Sequence, residues 1–175
     1  MYLFTSERLG FRNWQMQDIA PMASINADPE VMRFFPNIQT LQHTEDFIAR
    51  MQVSQASLGA CYFAVELLET REFIGFIGLL EQTYPADFNP SVDIGWRLSK
   101  QFWGCGYATE GAQRCLFYGR EVLKLSKVYA TAPCINLPSI RVMQKIGMQA
   151  KGVFEHPYLL NSPNLRQCVL YETFF

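Results

Sequence analysis

The sequence predicts an α/β or α+β fold with a mixed sheet, and two observations support that prediction. Apolar runs of strand length alternate with stretches whose apolar residues recur at helical spacing. The second half of the chain also has the order strand, helix, strand, helix, which is typical of helices packed on a sheet. With 175 residues, of which 49% are apolar, the chain can bury one core of ordinary size. We therefore expect a single domain over residues 1–175.

The first half of the chain predicts four strands and three helices. The strands cover residues 7–12, 61–68, 72–82 and 91–98, and two of the helices cover residues 16–26 and 40–57. The longest apolar run, residues 73–80, is far shorter than the roughly 20 residues of a membrane helix, so it predicts a buried strand. Asp28-Pro29-Glu30 predicts the start of a short helix, because Asp is a good N-cap and Pro suits the first turn. Pro36 ends that helix.

The second half predicts two helices and three strands. A helix over residues 107–123 precedes a strand over residues 127–135. A short helix follows at residues 138–146 and is closed by Gly147, a residue type suited to a helix C-terminus. Strands at residues 148–158 and 166–174 complete the chain.

Charge and composition exclude several classes of partner. Fifteen Lys and Arg residues face sixteen Asp and Glu residues, so the basic excess of a nucleic-acid-binding module is absent and no anionic membrane surface is indicated. Five widely spaced cysteines and an N-terminus without a signal-peptide pattern favour reduced thiols and a cytoplasmic protein. His43 and His156 lie far apart in the sequence and have no cysteine nearby, so we expect no metal site.

The stretch from Trp103 to Gly111, WGCGYATEG, joins the fourth predicted strand to the following helix. Gly104 and Gly106 permit positive φ angles, and such a turn directs successive N–H groups at one point where the helix dipole is positive. This predicts a phosphate or pyrophosphate site. Its donors are the amides of the glycine loop: Gly104, Cys105, Gly106, Tyr107, Ala108 and Thr109. A tight turn without a ligand is the alternative.

Two familiar phosphate loops do not fit this stretch. A P-loop needs a Lys after its glycines, and none follows here. A dinucleotide-binding fingerprint needs a third glycine, and Thr109 occupies that place. The glycine loop therefore predicts an anion site of a different kind.

The glycine loop resembles the acyl-CoA pyrophosphate loop of the Gcn5-related N-acetyltransferase (GNAT) superfamily, which reads Q/R-x-x-G-x-G/A. Gly106 and Ala108 match that pattern, and Trp103 stands in place of Gln or Arg. The Trp variant followed by Gly-Tyr-Ala-Thr-Glu is similar to the branch that acetylates ribosomal-protein N-termini.

Further segments resemble the same branch. They are Thr5, Glu7-Arg8-Leu9 and Arg12 at the N-terminus, DPEVMR at 28–33, DIGWRL at 93–98, His156-Pro157, and a block in which Asn136-Leu137-Pro138-Ser139 precedes Val142, Lys145, Gly147 and Met148. That block resembles the N-x-x-S…V-x-x-K-x-G-F/M segment of the branch. The resemblance runs from about residue 5 to the C-terminus, and the glycine loop and the Asn block together make it specific.

The resemblance implies a mostly antiparallel, twisted sheet of about seven strands, flanked by about four helices, whose fourth and fifth strands splay apart. It implies acetyl-CoA as co-substrate, with the pyrophosphate on the glycine-loop amides. The pantetheine arm would bond to the fourth strand at Trp96, Arg97 and Leu98, and Asn136 would hold the cofactor from the end of the fifth strand. From the residues alone, Asn136 is also read as a helix N-cap before Pro138.

The catalytic residues are less directly indicated. Acetyl transfer needs a neutral amine, a donor for the oxyanion and a proton for the thiolate. Many family members place a Tyr seven residues after the Asn and a Glu five residues before it, whereas Met143 and Thr131 occupy those positions here. We expect Ser139 to act as the acid and Asp93 as the base. The alternatives are a helix-starting Ser and a structural carboxylate.

Four residues are predicted to line the acceptor site: Phe34, Phe35, His156 and Tyr158. Phe34 and Phe35 fall in the short second helix, and the first two helices flank the acceptor in this superfamily. His156 has an unperturbed pKa that suits proton transfer, although a structural role is the alternative. The acceptor is left open between a protein N-terminus and a small amine, and a strongly acidic cleft would favour polyamines or basic N-termini.

The function that fits these observations is an acetyl-CoA-dependent N-acetyltransferase acting on a primary amine, as a monomer or a homodimer. The replacement of the family Tyr and Glu leaves a second reading, a non-catalytic acyl-CoA-binding or regulatory domain. A third reading is a nucleotide-binding protein that uses the same glycine loop and has affinity for ADP without the pantetheine arm.

Overall fold

One eight-stranded sheet forms the centre of the protein, which a computed structural model describes over residues 1–175. The strands are β1 (Phe4–Thr5), β2 (Leu9–Arg12), β3 (Tyr62–Leu67), β4 (Phe73–Gln82), β5 (Ser91–Leu98), β6 (Lys127–Pro133), β7 (Gln149–Glu155) and β8 (Gln167–Phe174). Their order is β1-β2-β3-β4-β5-β6-β8-β7, and every neighbouring pair is antiparallel except β5 and β6. The predicted class is confirmed. The extra strand is β1, whose two residues are too few to form a recognisable pattern.

Four helices accompany the sheet: α1 (Ile19–Ala27), α2 (Leu41–Leu58), α3 (Tyr107–Glu121) and α4 (Leu137–Lys145). The predicted long helix at 40–57 matches α2. The Thr40 hydroxyl accepts the N–H of His43 at 3.2 Å, and Gly59 ends the helix in the left-handed conformation. None of the four combines the length and the apolar composition that a membrane crossing requires.

The predicted short helix after Asp28 is wrong, because residues 29–34 form turns. Asp28 does act as a local cap: its Oδ1 accepts the N–H of Glu30 at 2.8 Å. That hydrogen bond closes an Asx turn, which competes with helix formation. Only a few residues separate it from Pro36, too few to offset the cost of nucleating a helix. Phe34 and Phe35 therefore lie in a turn and not on a helix.

The helices cover both faces of the sheet, as adjacent residues of β4 demonstrate. Ile77 faces α3, where a Cβ on Gly111 would come within 2.3 Å of the Ile77 Cδ1 atom. The glycine is therefore needed for the close approach of helix and strand. Phe76 points the other way and meets Phe47 of α2, with ring centroids 5.3 Å apart. The core lies on both sides of the central strands.

The centre of the sheet is split between β5 and β6. β4 and β5 pair along eight residue positions, whereas β5 and β6 pair only at Asp93 and Tyr129. Beyond Asp93, the rest of β5 has ladder partners in β4 alone. The predicted splay of these two strands is confirmed, and it opens a cleft in the middle of the sheet.

Candidate active site

A cavity of about 690 Å³ occupies the cleft between β5 and β6. Fourteen of the sixteen predicted site residues line it: Phe34, Phe35, Asp93, Trp96, Arg97, Leu98, Gly104, Gly106, Ala108, Thr109, Asn136, Ser139, His156 and Tyr158. The fold thus brings residues from distant parts of the sequence to one place. The side chains of Cys105 and Tyr107 lie outside the cavity lining, so only their backbone amides remain candidates for ligand binding.

The glycine loop has the geometry of an anion site. Gly104 and Gly106 adopt φ angles of +78° and +83°, which residues other than glycine rarely adopt. Gly106 is the N-cap of α3 and supplies no side chain to bond the first amides of the helix. Those amides lie at the positive end of the helix dipole, beside the cavity, and are suited to a phosphate group.

Arg8 contacts the glycine loop through a hydrogen bond and a cation–π interaction. Its Nη1 donates to the carbonyl oxygen of Cys105 at 3.1 Å, and its guanidinium lies 4.5 Å from the ring centroid of Tyr107. Its Nε donates to Glu110 Oε2 at 2.7 Å, while Glu110 Oε1 accepts the Ser6 hydroxyl at 2.6 Å. Although desolvation opposes it, these hydrogen bonds lower the pKa of Glu110. The carboxylate and the guanidinium therefore form a fixed clamp on the first turn of α3.

Asn136 and Ser139 lie at the start of α4. Asn136 Oδ1 accepts the N–H of Ser139 at 3.2 Å, so the N-cap reading is confirmed. The Ser139 hydroxyl lines the cavity and has no hydrogen-bond partner in the protein. It is thus free to donate a proton to a bound group.

A family model described as an acetyltransferase (GNAT) domain matches residues 8–149. The chain belongs to the GNAT family. A Bacillus subtilis relative, the uncharacterized N-acetyltransferase YnaD, is 31% identical over 156 residues, which cover 86% of this chain and 85% of the relative.

Solved GNAT structures have the same fold. An acetyltransferase of the GNAT family from Bacillus anthracis aligns with a TM-score of 0.80 at 27% identity and covers 97% of this chain and 96% of that chain. A ribosomal L7/L12 alpha-N-protein acetyltransferase solved with coenzyme A also has a TM-score of 0.80, at 14% identity, over 100% of this chain and 98% of its own. At that identity the likeness concerns the fold.

Asp93 is the one carboxylate in the cavity of this GNAT protein. Its Oδ1 accepts the Tyr62 hydroxyl at 2.6 Å and Gln82 Nε2 at 3.2 Å. Burial raises the pKa of Asp93 to about 6, although the two hydrogen bonds stabilise the ionised form and oppose the rise. Burial and the neighbouring carboxylate raise the pKa of Tyr62 well above its ordinary value. The pair is thus a carboxylate that titrates near neutrality beside a phenol that stays protonated.

A group of rings, Tyr84, His156 and Tyr158, lines one part of the cavity. The Tyr84 ring lies 4.6 Å from that of His156, and Tyr158 completes the group at 5.9 Å from Tyr84. Burial lowers the pKa of His156, whose Nδ1 accepts the N–H of Tyr158 at 3.3 Å. His156 is therefore neutral near neutral pH, and its Nδ1 atom acts as a hydrogen-bond acceptor.

Arg97 and Phe35 form the opposite wall. The guanidinium of Arg97 lies 4.3 Å from the ring centroid of Phe35, and its Nη1 donates to Asn26 Oδ1 at 2.6 Å. Asn26 is fully buried and also donates to the hydroxyl of Thr44 at 2.9 Å. Arg97 is therefore anchored by its side chain at a position where the sequence predicted only a backbone role.

Sequence reasoning missed several residues of the GNAT site. Tyr62 and Gln82 meet Asp93 across neighbouring strands, and nothing in their local sequence signals that contact. Arg8 and Glu110 stand 102 positions apart in the chain. The N-terminal segment containing Arg8 was matched to the family, yet a family pattern does not say which residues touch.

Proposed function

We propose that this GNAT protein is an acetyl-CoA-dependent N-acetyltransferase that transfers an acetyl group to a primary amine. The observation that supports it most is that one cavity combines an amide-rich helix N-terminus with a carboxylate whose pKa is about 6. The first suits the phosphates of a cofactor, and the second suits proton removal from an amine near neutral pH.

Residues of the chain fit acetyl-CoA as co-substrate. The amides of the glycine loop would bind the pyrophosphate. The backbone of Trp96, Arg97 and Leu98 would bind the pantetheine arm, because this part of β5 has a ladder partner on one side only. Asn136 keeps its side-chain amide nitrogen for the cofactor while its oxygen caps α4.

Proton transfer is assigned to Asp93 and Ser139. An amine is mostly protonated at neutral pH, since a lysine ε-amine has a pKa of about 10.4 and an α-amine one of about 8. Asp93 would accept that proton, directly or through a water molecule. The amine nitrogen then bonds to the acetyl carbon as the carbon–sulfur bond breaks, and the Ser139 hydroxyl would donate a proton to the departing thiolate. The new amide nitrogen loses its surplus proton, which would restore the Ser139 hydroxyl directly or through water. A backbone N–H of β5 would stabilise the oxyanion.

The relatives leave two classes of acceptor amine. The solved relative at 14% identity is an alpha-N-protein acetyltransferase, which supports a protein N-terminus as one acceptor, in line with the resemblance to the ribosomal-protein branch. A small amine is the other. The non-catalytic acyl-CoA-binding domain is the less favoured reading, because Asp93 and Ser139 both line the cavity and offer the proton transfers that catalysis needs.

The test is release of CoA from acetyl-CoA with a panel of amines, using the wild type and Ser139→Ala. We expect turnover with at least one amine, and a much lower kcat in Ser139→Ala with little change in CoA affinity. Binding of CoA without turnover of any amine would instead identify a binding domain. An unchanged kcat in Ser139→Ala would remove that residue from the mechanism.

A further inference from the structure

The charged residues of the cavity are unevenly distributed. Three cationic side chains line it, Arg33, Arg97 and Lys145, against the single carboxylate of Asp93. Arg33 is exposed, and its guanidinium lies 4.7 Å from the ring centroid of Phe34 and 4.9 Å from that of Trp103, next to the glycine loop. Lys145 lies in the last turn of α4. Arg97 is the cation on the acceptor side.

Arg97 lacks a charged partner. No Asp or Glu oxygen lies within 4.0 Å of its guanidinium, and its one hydrogen bond goes to the neutral amide of Asn26. The Nε atom is buried without any hydrogen-bond partner. Desolvation lowers the pKa of Arg97 to about 10, which still leaves it cationic at neutral pH. A cation in such a position is costly unless something pairs with it.

The contacts that Arg97 does make hold it in place without neutralising it. The rings of Phe35 and Phe76 lie 4.3 and 5.4 Å from the guanidinium carbon. Such cation–π contacts and the bond to Asn26 fix the direction of the planar guanidinium. They leave its Nη2 atom without a hydrogen bond in the protein. Nη2 can therefore donate to a carboxylate oxygen of a ligand, and that hydrogen bond would also pair two opposite charges.

We propose that Arg97 binds a carboxylate of the acceptor, so that the acceptor is an amine that also carries a carboxylate group. This inference rests on the proposed function, since it concerns the second substrate of the same site. Asp93 and Arg97 lie on the same face of β5, four residues apart, and the Tyr62 ring covers Gly95 between them. The amine end and the anionic end of one molecule would therefore meet opposite charges across an aromatic wall.

The same arrangement disfavours a polyamine. A polyamine carries two or more positive charges, which favour anionic partners and are repelled by a cation once they leave water. This cavity offers one carboxylate and places the cation of Arg97 in the acceptor half. A strongly acidic cleft would have favoured polyamines, and the cleft is not acidic.

The experiment compares matched acceptors that differ in one carboxylate. The first pair is 4-(aminomethyl)benzoate and benzylamine, and the second is L-phenylalanine and L-phenylalaninamide; spermidine is added as a polycation. The kcat/KM for CoA release is measured for the wild type, Arg97→Gln, Arg97→Lys and Arg33→Gln. Melting temperature and CoA binding are recorded for each variant, so that a folding defect is recognised.

We expect the wild type to prefer the carboxylate member of at least one pair by about tenfold or more. Arg97→Gln should bring that ratio close to one, and Arg97→Lys should keep part of it, because the charge stays while the planar guanidinium is lost. Arg33→Gln is the matched control, and it should leave the ratio unchanged even if the KM for acetyl-CoA rises.

The outcomes separate this inference from the proposed function. Turnover of neutral amines without preference in either pair, or a preference that survives in Arg97→Gln, would overturn the carboxylate site and leave the acetyltransferase standing. Spermidine as the best acceptor would also overturn it. CoA binding without turnover of any of the five acceptors would overturn the carboxylate site, and the proposed function would fall only if the wider amine panel, peptides included, also gave no turnover.

Discussion

The surroundings of Asp93 have opposite effects on the pKa of its carboxyl group. Its position at the closed end of the cleft desolvates the carboxylate, while Tyr62 and Gln82 donate hydrogen bonds to the same oxygen. Burial is the larger effect, so the pKa rises to about 6. A carboxylate with a pKa in that range is a stronger base than an ordinary Asp and is still ionised at pH 7.5, as an amine acetyltransferase requires.

We predict that the ionisation of Asp93 controls the acidic side of the pH–rate profile. Because the base must be deprotonated, kcat/KM should fall as the pH drops through about 6. Asp93→Asn should remove this limb and lower kcat/KM by about 10²- to 10⁴-fold. The measurement is kcat/KM from pH 5 to 9 for both proteins with one amine. The titration of the amine is common to both, so their difference isolates Asp93.

His156 supplies the control for that profile. It is the other group in this cavity that can gain a proton on the acidic side of neutrality, because burial lowers its pKa from the ordinary value. Tyr62 and Tyr84, the other titratable groups beside Asp93, have pKa values raised far above this range. If Asp93 is the base, His156→Gln retains the acidic limb. Loss of the limb in His156→Gln, together with its persistence in Asp93→Asn, would assign the base to the histidine.

The sequence predicted the backbone conformation of some residues but not the contacts of others. Gly104 and Gly106 could be assigned to a positive-φ loop because that conformation depends on the residue itself and on the helix that follows. Arg97 could be placed on its strand, but its lack of a charged partner depends on Asn26 and Phe35, which precede it by more than 60 positions. Local sequence carries no information about such a contact.

At the scale of elements, α3 depends on the N-terminal segment of the chain for its first turn. Glu110 on α3 binds both Ser6 and Arg8, and Arg8 reaches on to the carbonyl of Cys105. The glycine loop contains two residues with positive φ and few side chains to fix it. The clamp of Arg8 and Glu110 therefore restricts the conformation of the glycine loop through contacts with residues outside it.

We predict that Glu110→Gln weakens acetyl-CoA binding while affecting the chemical step much less. The amide keeps the shape of the side chain but loses the ionic hydrogen bonds to Arg8, which releases the loop. The KM for acetyl-CoA should rise several-fold to about tenfold with a small change in kcat. The matched control is Glu121→Gln on the same helix, whose carboxylate is paired with its exposed neighbour Arg120. Equal effects of the two substitutions would exclude a specific role for the clamp.

Element boundaries illustrate what sequence patterns can and cannot decide. The helix α2 was predicted closely, because apolar residues recur along a long stretch of helical sequence, and in the structure Thr40 caps it. The segment after Asp28 has an equally good capping residue and forms turns instead. A cap determines where a helix begins, but the length of the segment decides whether a helix forms at all. Phe34 and Phe35 still reach the cavity, since a turn can present them to it.

At the scale of the whole molecule, the sheet consists of two halves joined at one ladder position. One half contains β1 to β5, the other contains β6, β8 and β7, and the pair of Asp93 and Tyr129 connects them. The chain crosses between the halves through α3. A ligand that lies in the cleft and contacts both halves would therefore stabilise the entire fold and not only its own site.

We predict a large difference between CoA and ADP in thermal stabilisation. A ligand present at 100 times its Kd stabilises the native state by about 2.7 kcal/mol. CoA, whose pantetheine arm would follow β5, should reach that stabilisation at micromolar to low-millimolar concentration, whereas ADP at equal concentration should give a much smaller shift in Tm. Equal shifts for the two ligands would favour a nucleotide-binding protein and contradict the role assigned to β5.

Because β5 pairs with a neighbouring strand on one side only, its free edge bears on the tendency of the protein to aggregate. A strand with free N–H and C=O groups on one side is a template for another strand, and at the rim of a sheet such an edge promotes aggregation. Here the open edge lies in the interior, between β5 and β6, where the ends of α3 and α4 and the aromatic residues around Tyr84 restrict access to it. The unpaired edge of β5 thus lies inside the sheet and not at its rim, where it would promote aggregation.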